Sequence, residues 1–260
     1  MIGRSIRLAC LLLLSCLLPV ASGWADHSKV RIGVQLQGDK ERQLERWAPV
    51  AWHLNRTLPS YHFELVPLTH SSTEAAIDHG ELGLDFVITD PGLYVNLEVE
   101  YGATRIATKV SKYDGHALNI LAATIFTRSD RVEISHLEDL ENRQLVALDQ
   151  NSFEGWYLAK NALLEADLAT DTDYKVTFTG HDTWAVIEAV LDGSADAGVL
   201  PSGVIEQLTD FDTLPRERLK VLEKRQTPFF PVAHSTPLYP EWALAKLKHT
   251  PDALARKVVV

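Results

Sequence analysis

The sequence predicts an α/β protein built from two similar lobes that are joined by two chain crossings. Strand and helical patterns alternate along the chain, which is typical of sheets covered by helices. The segment 80–94 is echoed at 193–203: in both, a helical pattern ends at a glycine, a short apolar strand carries an Asp, and a proline opens the next helix. A long apolar stretch at 119–127 is long enough to leave one sheet and enter another. Clefts between such lobes are common ligand sites.

The first lobe is predicted to alternate strands with helices from its start. Runs rich in β-branched residues indicate the strands, and apolar residues at three- and four-residue spacing indicate the helices. The predicted strands are 30–35, 63–68, 84–89 and 104–110, and the predicted helices are 40–58, 72–79 and 91–98. The stretch 119–127 is the first crossing.

The second lobe repeats this alternation before the chain returns. Its predicted strands are 145–149, 175–179 and 195–200, and its predicted helices are 153–166, 183–192 and 202–208. Segment 219–223 and the proline-containing segment 227–240 carry the chain back, and we predict helices at 242–247 and from 252 onward. The expected division is therefore lobe 1 at 26–118 plus 224–260, and lobe 2 at 119–223.

Residues 1–25 are predicted to be a signal peptide. Arg4 and Arg7 precede the apolar run 8–21, and small residues follow it. A retained membrane anchor is the alternative, but about 14 apolar residues are few for a span that needs about 20. We expect cleavage of the signal and a periplasmic location.

Composition excludes several classes of function. The two cysteines, Cys10 and Cys16, both lie in the predicted signal, so the processed chain has no thiol for catalysis, a disulfide or a metal. Lipidation of Cys16 is a weaker alternative because the apolar run continues after it. A formal net charge of −10 without a basic run argues against a nucleic-acid partner. The apolar pattern at 256–260 predicts continuation into a longer parent protein, with a natural short end as the alternative.

Candidate contacts in the first lobe follow the strand 84–89. Thr89, Asp90 and Tyr94 lie at the start of a predicted helix, whose free amides and hydroxyls can hold an oxyanion. An ordinary capped helix with a packed tyrosine is the alternative. Trp47 is predicted to shield one wall of the cleft, and packing in the core is its alternative role.

Candidate contacts in the second lobe lie at three other strand ends. Asn151 and Ser152 begin a helix after the strand 145–149, and the alternative for Ser152 is a simple cap. His181, beside a flexible glycine, can donate to an anion, or it is merely exposed. Asp196 either receives a cationic ligand group or holds the strand end in place.

A further signal lies in the order and spacing of nine stretches, which are 30–34, 46–49, 80–94, 125–128, 137–140, 152–156, 178–182, 190–198 and 234–242. Together they resemble the phosphonate-binding-protein-like (PhnD-like) periplasmic solute-binding family, closest to the extracytoplasmic sensor domains of tetrathionate-sensor-type histidine kinases. The resemblance covers nearly all of the chain after the signal peptide.

The resemblance implies a type II periplasmic-binding-protein fold whose lobes close on a small oxyanion such as a phosphonate, phosphate, phosphite or sulfur oxyanion. It implies that Thr89 and Tyr94 contact the ligand from the first lobe, and Ser152, His181 and Asp196 from the second. Glu154 departs from the family pattern because it places a carboxylate where hydroxyls are usual. The implied partner is a membrane protein, either a sensor kinase module or an ABC permease.

We expect a binding domain rather than an enzyme, with no cofactor and no metal. The sequence lacks a Gly-x-Ser-x-Gly elbow, a His-Glu-x-x-His pair and a phosphate-binding Gly-x-x-x-x-Gly-Lys loop. A periplasmic hydrolase is the alternative of a different class. Between a sensor and a transport component, the segment 234–242 and the apolar end favour the sensor.

Overall fold

The computed structural model describes residues 28–78, 80, 82–113, 115–169, 172–210 and 216–260. The predicted signal peptide lies outside these residues. The strands are β1 (Ser28–Gln35), β2 (Tyr61–Leu68), β3 (Phe86–Thr89), β4 (Thr104–Thr108), β5 (Ser111–Tyr113), β6 (His116–Leu118), β7 (Ile120–Leu121), β8 (Ala123–Arg128), β9 (Gln144–Ala147), β10 (Lys175–Phe178), β11 (Ala197–Pro201), β12 (Leu219–Val221), β13 (Arg225–Thr227), β14 (Phe230–His234), β15 (Tyr239–Pro240) and β16 (Ala243–Lys246).

Helices connect and cover these strands, as the alternating pattern predicts. The α-helices are α1 (Lys40–Thr57), α2 (His70–Asp78), α3 (Pro91–Tyr101), α4 (Leu158–Glu165), α5 (Thr183–Asp192), α6 (Val204–Asp210) and α7 (Asp252–Val258). Short 3-10 turns lie at Glu138–Leu140 and Arg216–Arg218, and a π-helical turn at Phe153–Tyr157 precedes α4. Among the described residues, none of the helices combines the length and the apolar character that a membrane crossing requires.

The first sheet has the strand order β2-β1-β3-β16-β4. β1 runs parallel to β2 and β3, whereas β16 is antiparallel to both β3 and β4. Ile32 and Val34 on β1 and Phe86 on β3 are fully buried, because covering elements remove both faces of these central strands from water.

The predicted helix at 242–247 is wrong, because this segment forms β16. Ala243 and Ala245 are fully buried and alternate with half-buried Leu244 and Lys246, which is the two-residue period of a strand. Alanine, leucine and lysine favour helices, so local propensity misleads here, and pairing with β3 and β4 decides the conformation.

The second sheet has the strand order β10-β9-β11-β8-β12. β9 is parallel to β10 and β11, and β8 is antiparallel to β11 and β12. The predicted single strand at 119–127 divides into β7 and β8. Instead of entering a large sheet, β7 pairs with β15, joining Leu121 to Tyr239 and Ile120 to Pro240. The two crossings between the sheets therefore run side by side as one hydrogen-bonded ribbon.

One apolar core extends across both sheets. It includes Ile32 and Phe86 of the first sheet, Ile125 and Leu145 of the second, and Trp242 before β16. The residue bounds that we predict for the two lobes stay a prediction.

A hairpin of β5 and β6 lies beyond the strand predicted at 104–110, which ends at Thr108. Its Tyr113 packs on Gly203 at the start of α6: a Cβ atom added to Gly203 would lie 2.3 Å from the Tyr113 ring. Gly203 also has φ +87°, which non-glycine residues rarely adopt. The hairpin therefore brings Tyr113 from the first half of the chain against the second sheet.

Candidate ligand-binding site

A cavity of about 260 Å³ lies between the two sheets, and residues from both sides line it. Its volume is slightly below the roughly 300–1,000 Å³ of pockets for drug-sized ligands, so it suits a small solute. The lining residues are Gln37, Gln43, Arg46, Trp47, Lys109, Tyr113, Leu121, Leu148, Glu154, His181, Thr183, Pro201, Ser202, Val204, Gln207, Glu241 and Trp242.

Two tryptophans form an aromatic wall of the cavity. The rings of Trp47, on α1, and Trp242 have centroids 6.2 Å apart and are tilted by 31°. The Trp242 carbonyl accepts a hydrogen bond from the Lys109 backbone at 2.8 Å, so pairing next to β16 fixes its position. Sequence reasoning missed Trp242 because it placed this residue at the start of a helix.

Lys109 and Glu241 form an ion pair at the cavity. The Lys109 Nζ atom lies 3.2 and 3.0 Å from the two carboxylate oxygens of Glu241, whose side chain is only 2% exposed. The Ser111 hydroxyl and the Trp242 backbone also donate to this carboxylate. The charge of Lys109 is therefore largely neutralised by Glu241.

Arg46 is a second basic residue among the described residues that line the cavity. It lies on the exposed face of α1 and makes no ion pair or hydrogen bond with the other described residues. Its guanidinium is therefore available to a negatively charged solute at the mouth of the cavity.

Glu154 contributes a buried carboxyl group to the cavity. The residue is 8% exposed; its Oε1 accepts a hydrogen bond from the Trp242 indole at 3.4 Å, and its Oε2 has no partner among the described residues. Burial, and to a lesser extent the nearby charge of Asp90, raises the pKa of Glu154 from its ordinary value of 4.5 to about 7. The Nε2 of Gln37, another lining residue, is likewise buried without a described partner.

His181 lies at the cavity in a left-handed conformation, with φ +72°. Its Nε2 is 4.0 Å from the nearer carboxylate oxygen of Asp149. Burial lowers the pKa of His181, and the Asp149 charge opposes that shift. A Cβ atom on Gly38 would lie 3.1 Å from the His181 Cβ, so His181 also packs on the loop after β1.

The structure brings Trp47 and His181 together, but it does not bring the other first-lobe candidates to the cavity wall. Thr89 is fully buried and donates to the Asp90 carbonyl at 3.1 Å. Asp90 caps α3 by accepting from the Leu93 amide at 2.9 Å, and it also accepts from the Gln35 side chain at 2.8 Å. Their polar groups are thus used within the fold.

Tyr94 is also engaged elsewhere. Its hydroxyl donates to the Glu98 carboxylate at 2.6 Å and accepts from the Arg105 amide at 3.2 Å. The Arg105 guanidinium lies 4.4 Å from the ring centroid of Tyr94. This arrangement corresponds to the alternative given from the sequence, in which Tyr94 is a packed tyrosine on an ordinary capped helix.

The remaining second-lobe candidates stabilise strand and helix ends. The Asn151 amide donates to Asp149 at 2.8 Å, and the Ser152 hydroxyl accepts from the Gly155 amide at 3.1 Å. Asp196 accepts from Arg131 at 2.5 Å and from the Gln144 amide at 2.9 Å, which holds the strand end in place. None of these three residues lines the cavity.

Three possible metal ligands cluster outside the cavity, within the part of the chain that the structure describes. His136, Glu138 and Glu223 are exposed, and their ligand atoms lie within 4.8 Å of one another. Glu223 accepts from the His136 ring at 2.9 Å and raises the pKa of His136. Exposed acidic groups commonly cluster in this way without a metal ion, so the contact is described only as a hydrogen bond between the His136 ring and the Glu223 carboxylate.

A comparison with known protein families identifies the family of this chain. The model of the family described as the periplasmic substrate-binding protein of phosphonate ABC transporters matches residues 32–259. The chain belongs to this family. The family consists of periplasmic substrate-binding proteins, in agreement with the predicted export, and the resemblance stated from the sequence is confirmed.

A curated relative is a signalling protein. The tetrathionate sensor histidine kinase TtrS of Salmonella typhimurium is 30% identical over 228 residues, which are 87% of this chain and 38% of that protein. The chain therefore spans well under half the length of this relative.

Solved structures establish the fold. XAC2383 from Xanthomonas citri, bound to ATP, has a TM-score of 0.68 at 15% identity, with coverage of 89% of this chain and 81% of the other. PhnD1 from Prochlorococcus marinus, in complex with methylphosphonate, has a TM-score of 0.58 at 14% identity, with coverage of 90% and 83%. The predicted type II periplasmic-binding-protein fold is confirmed.

Proposed function

We propose that this chain is the ligand-binding input of a membrane signalling protein and that it closes on a small oxyanion. The observation that carries the proposal is the cavity between the two sheets, which both sides of the molecule line. A ligand held by both sides stabilises the closed arrangement by its additional affinity for it, and this shift of population is the signal.

The polar lining supports an oxyanion as the ligand. Arg46 offers a guanidinium that none of the described residues pairs, and Gln37 has a buried amide nitrogen without a described partner. Trp47 and His181 complete the proposed contacts, with Trp47 excluding water and His181 donating from its ring. In this proposal Thr89, Asp90, Tyr94, Asn151, Ser152 and Asp196 support the walls. Methylphosphonate and ATP, bound by the two structural relatives, both carry oxyanion groups.

The role as a sensor rests on the curated relative. A histidine kinase named for tetrathionate shares 30% identity with most of this chain. We infer that the partner is a kinase or another signalling module attached through the membrane.

A stand-alone component of a phosphonate-type ABC transporter is the second candidate. The description of the matched family favours it, and its partner is a permease. Crosslinking in the native membrane separates the two roles, because a sensor yields a kinase-containing protein and a transport component yields a permease.

A thermal-shift screen of the purified protein tests ligand binding. The panel contains methylphosphonate, phosphite, phosphate, sulfate, thiosulfate and tetrathionate, each with its chloride-matched control. A ligand at about a hundred times its dissociation constant stabilises the fold by roughly 2.7 kcal/mol. We expect at least one oxyanion to raise the melting temperature.

A matched pair of tryptophan variants locates the site. Trp47→Leu removes a wall of the cavity, whereas Trp52→Leu changes a tryptophan on the same helix that is 65% exposed. The oxyanion-induced shift is expected to shrink only in the Trp47 variant, measured against each variant without ligand. Equal shifts in both variants, or no shift with any oxyanion, would contradict the proposal.

A further inference from the structure

Glu154 is a buried acid at the cavity, and only one of its two carboxyl oxygens has a hydrogen-bond partner among the described residues. Its Oε1 accepts only the long contact from the Trp242 indole, at 3.4 Å, and its Oε2 has no described partner. Buried polar atoms are nearly always hydrogen-bonded, so an unpaired atom at a ligand cavity indicates a missing bonding partner.

The surroundings of Glu154 disfavour its ionised form. The groups that act on it are Asp90 at the start of α3, Lys109 after β4, Tyr113 on β5 and Glu241 before β16, with Arg46 and His181 elsewhere on the cavity lining.

These groups give Glu154 little positive compensation. Asp90 and Glu241 are acidic, and Lys109 is already paired with Glu241. Burial raises the pKa of Tyr113 to about 12, so this side chain remains a neutral phenol. Arg46 lies on the exposed face of α1, where water weakens its influence.

An anionic ligand strengthens this preference. A carboxylate beside an oxyanion in a cavity shielded from water meets repulsion from a like charge, whereas a carboxylic acid supplies an O–H donor to the same oxygen. Protonation therefore changes Glu154 from a group that repels the ligand into a hydrogen-bond donor to it.

We propose that Glu154 binds the oxyanion as a neutral carboxylic acid, with Oε2–H donating to a ligand oxygen, so that ligand binding is coupled to the uptake of up to one proton from solvent. The inference rests on the proposed function, because it assigns a role to a residue of that same cavity. The uptake is partial where the free protein already holds the proton, and it approaches one proton at alkaline pH. The domain then responds jointly to oxyanion and acidity.

Isothermal titration calorimetry on the purified protein measures the proton directly. The oxyanions of the panel are titrated at about pH 6, 7 and 8, each in two buffers that differ in ionisation enthalpy, which yields the number of protons bound per ligand. We expect close to one proton at about pH 8, with affinity falling by about tenfold per pH unit above pH 7, as one linked proton requires.

Two variants isolate Glu154 from other titrating groups. Glu154→Gln keeps a neutral donor and is expected to reduce proton uptake by nearly one at pH 8; protons of the ligand or of His181 cancel in this comparison. Glu165→Gln, on the exposed end of α4, is the control and is expected to match the wild type. Should Glu154→Gln fail to fold, the wild type still tests the role of Glu154, because ligand binding without proton uptake at about pH 8 refutes it.

The outcomes separate this inference from the proposed function. If an oxyanion binds without proton uptake, with release of a proton, or with the same uptake in Glu154→Gln, the role of Glu154 is refuted and oxyanion binding stands. If no oxyanion of the panel binds at any pH, the proposed function fails first, and the inference fails with it.

Discussion

Substituting Glu154 by glutamine should remove a loss of stability that the unliganded wild-type protein undergoes as the pH rises from about 5 to 8. The carboxyl group is buried, and desolvation raises its pKa in the folded state to about 7 from an ordinary value of 4.5. Between these two values the folded protein holds a proton that the unfolded chain has released. Its contribution to stability is therefore fully present below about pH 4.5 and is lost as the pH rises to about 7.

The magnitude follows from the size of this shift. A displacement of about 2.5 pH units corresponds to roughly 3 kcal/mol of unfolding free energy, and about 2.5 kcal/mol of it is lost between pH 5 and pH 8. Glutamine does not titrate, so Glu154→Gln lacks this loss. Its stability relative to the wild type should therefore improve by about 2.5 kcal/mol over the same interval.

Urea unfolding followed by tryptophan fluorescence provides the measurement. Both proteins are unfolded at about pH 5 and pH 8 in buffers free of phosphate and sulfate. The change with pH of their difference is the relevant quantity, because any fixed cost of the amide cancels. A difference that stays constant within about 0.5 kcal/mol, or that moves in favour of the wild type at high pH, would refute the assignment of a buried neutral acid.

Two further substitutions test contacts that surround the cavity. Lys109→Met leaves Glu241 buried without its cation and should lower the free energy of unfolding in urea by roughly 3 kcal/mol. Adding Glu241→Leu should recover part of that loss. A cost below about 1 kcal/mol for Lys109→Met alone would show that the ion pair does not stabilise the buried carboxylate. Gly203→Ala should lower the melting temperature clearly more than Gly115→Ala. Both glycines have positive φ, but only at Gly203 would an added Cβ lie 2.3 Å from the Tyr113 ring. Equal decreases in melting temperature would show that the contact with the hairpin is not the cause.

Local signals predict the parts of the fold that local chemistry determines. Helix α5 begins after Asp182, which caps its first amides, and ends at Gly193 in the left-handed conformation, so both bounds can be predicted from sequence. Local signals mislead at segment 242–247, because its residues favour a helix and only pairing with the neighbouring strands β3 and β4 makes it a strand.

The candidate site is harder to predict because long-range contacts decide which polar groups remain free. The Thr89 hydroxyl and the free amides of this helix start have the right chemistry for an anion, but the Asp90 carboxylate accepts from one of these amides and is held by Gln35, 55 residues away from Asp90. Trp242 reaches the cavity only through the position of β16. Trp47 and His181 were predictable as candidates, whereas their mutual approach depends on the packing of the two sheets.

The ribbon of β7 and β15 has a mechanical consequence. Because the crossings are tied to each other by backbone hydrogen bonds, sliding of one past the other breaks those bonds, while a twist of the ribbon preserves them. The Phe153 ring contacts Tyr239 of this ribbon edge-to-face at 5.5 Å. Glu154 directly follows Phe153 in the chain, so its carboxyl group lies one residue away from the side chain that contacts the crossing between the two sheets.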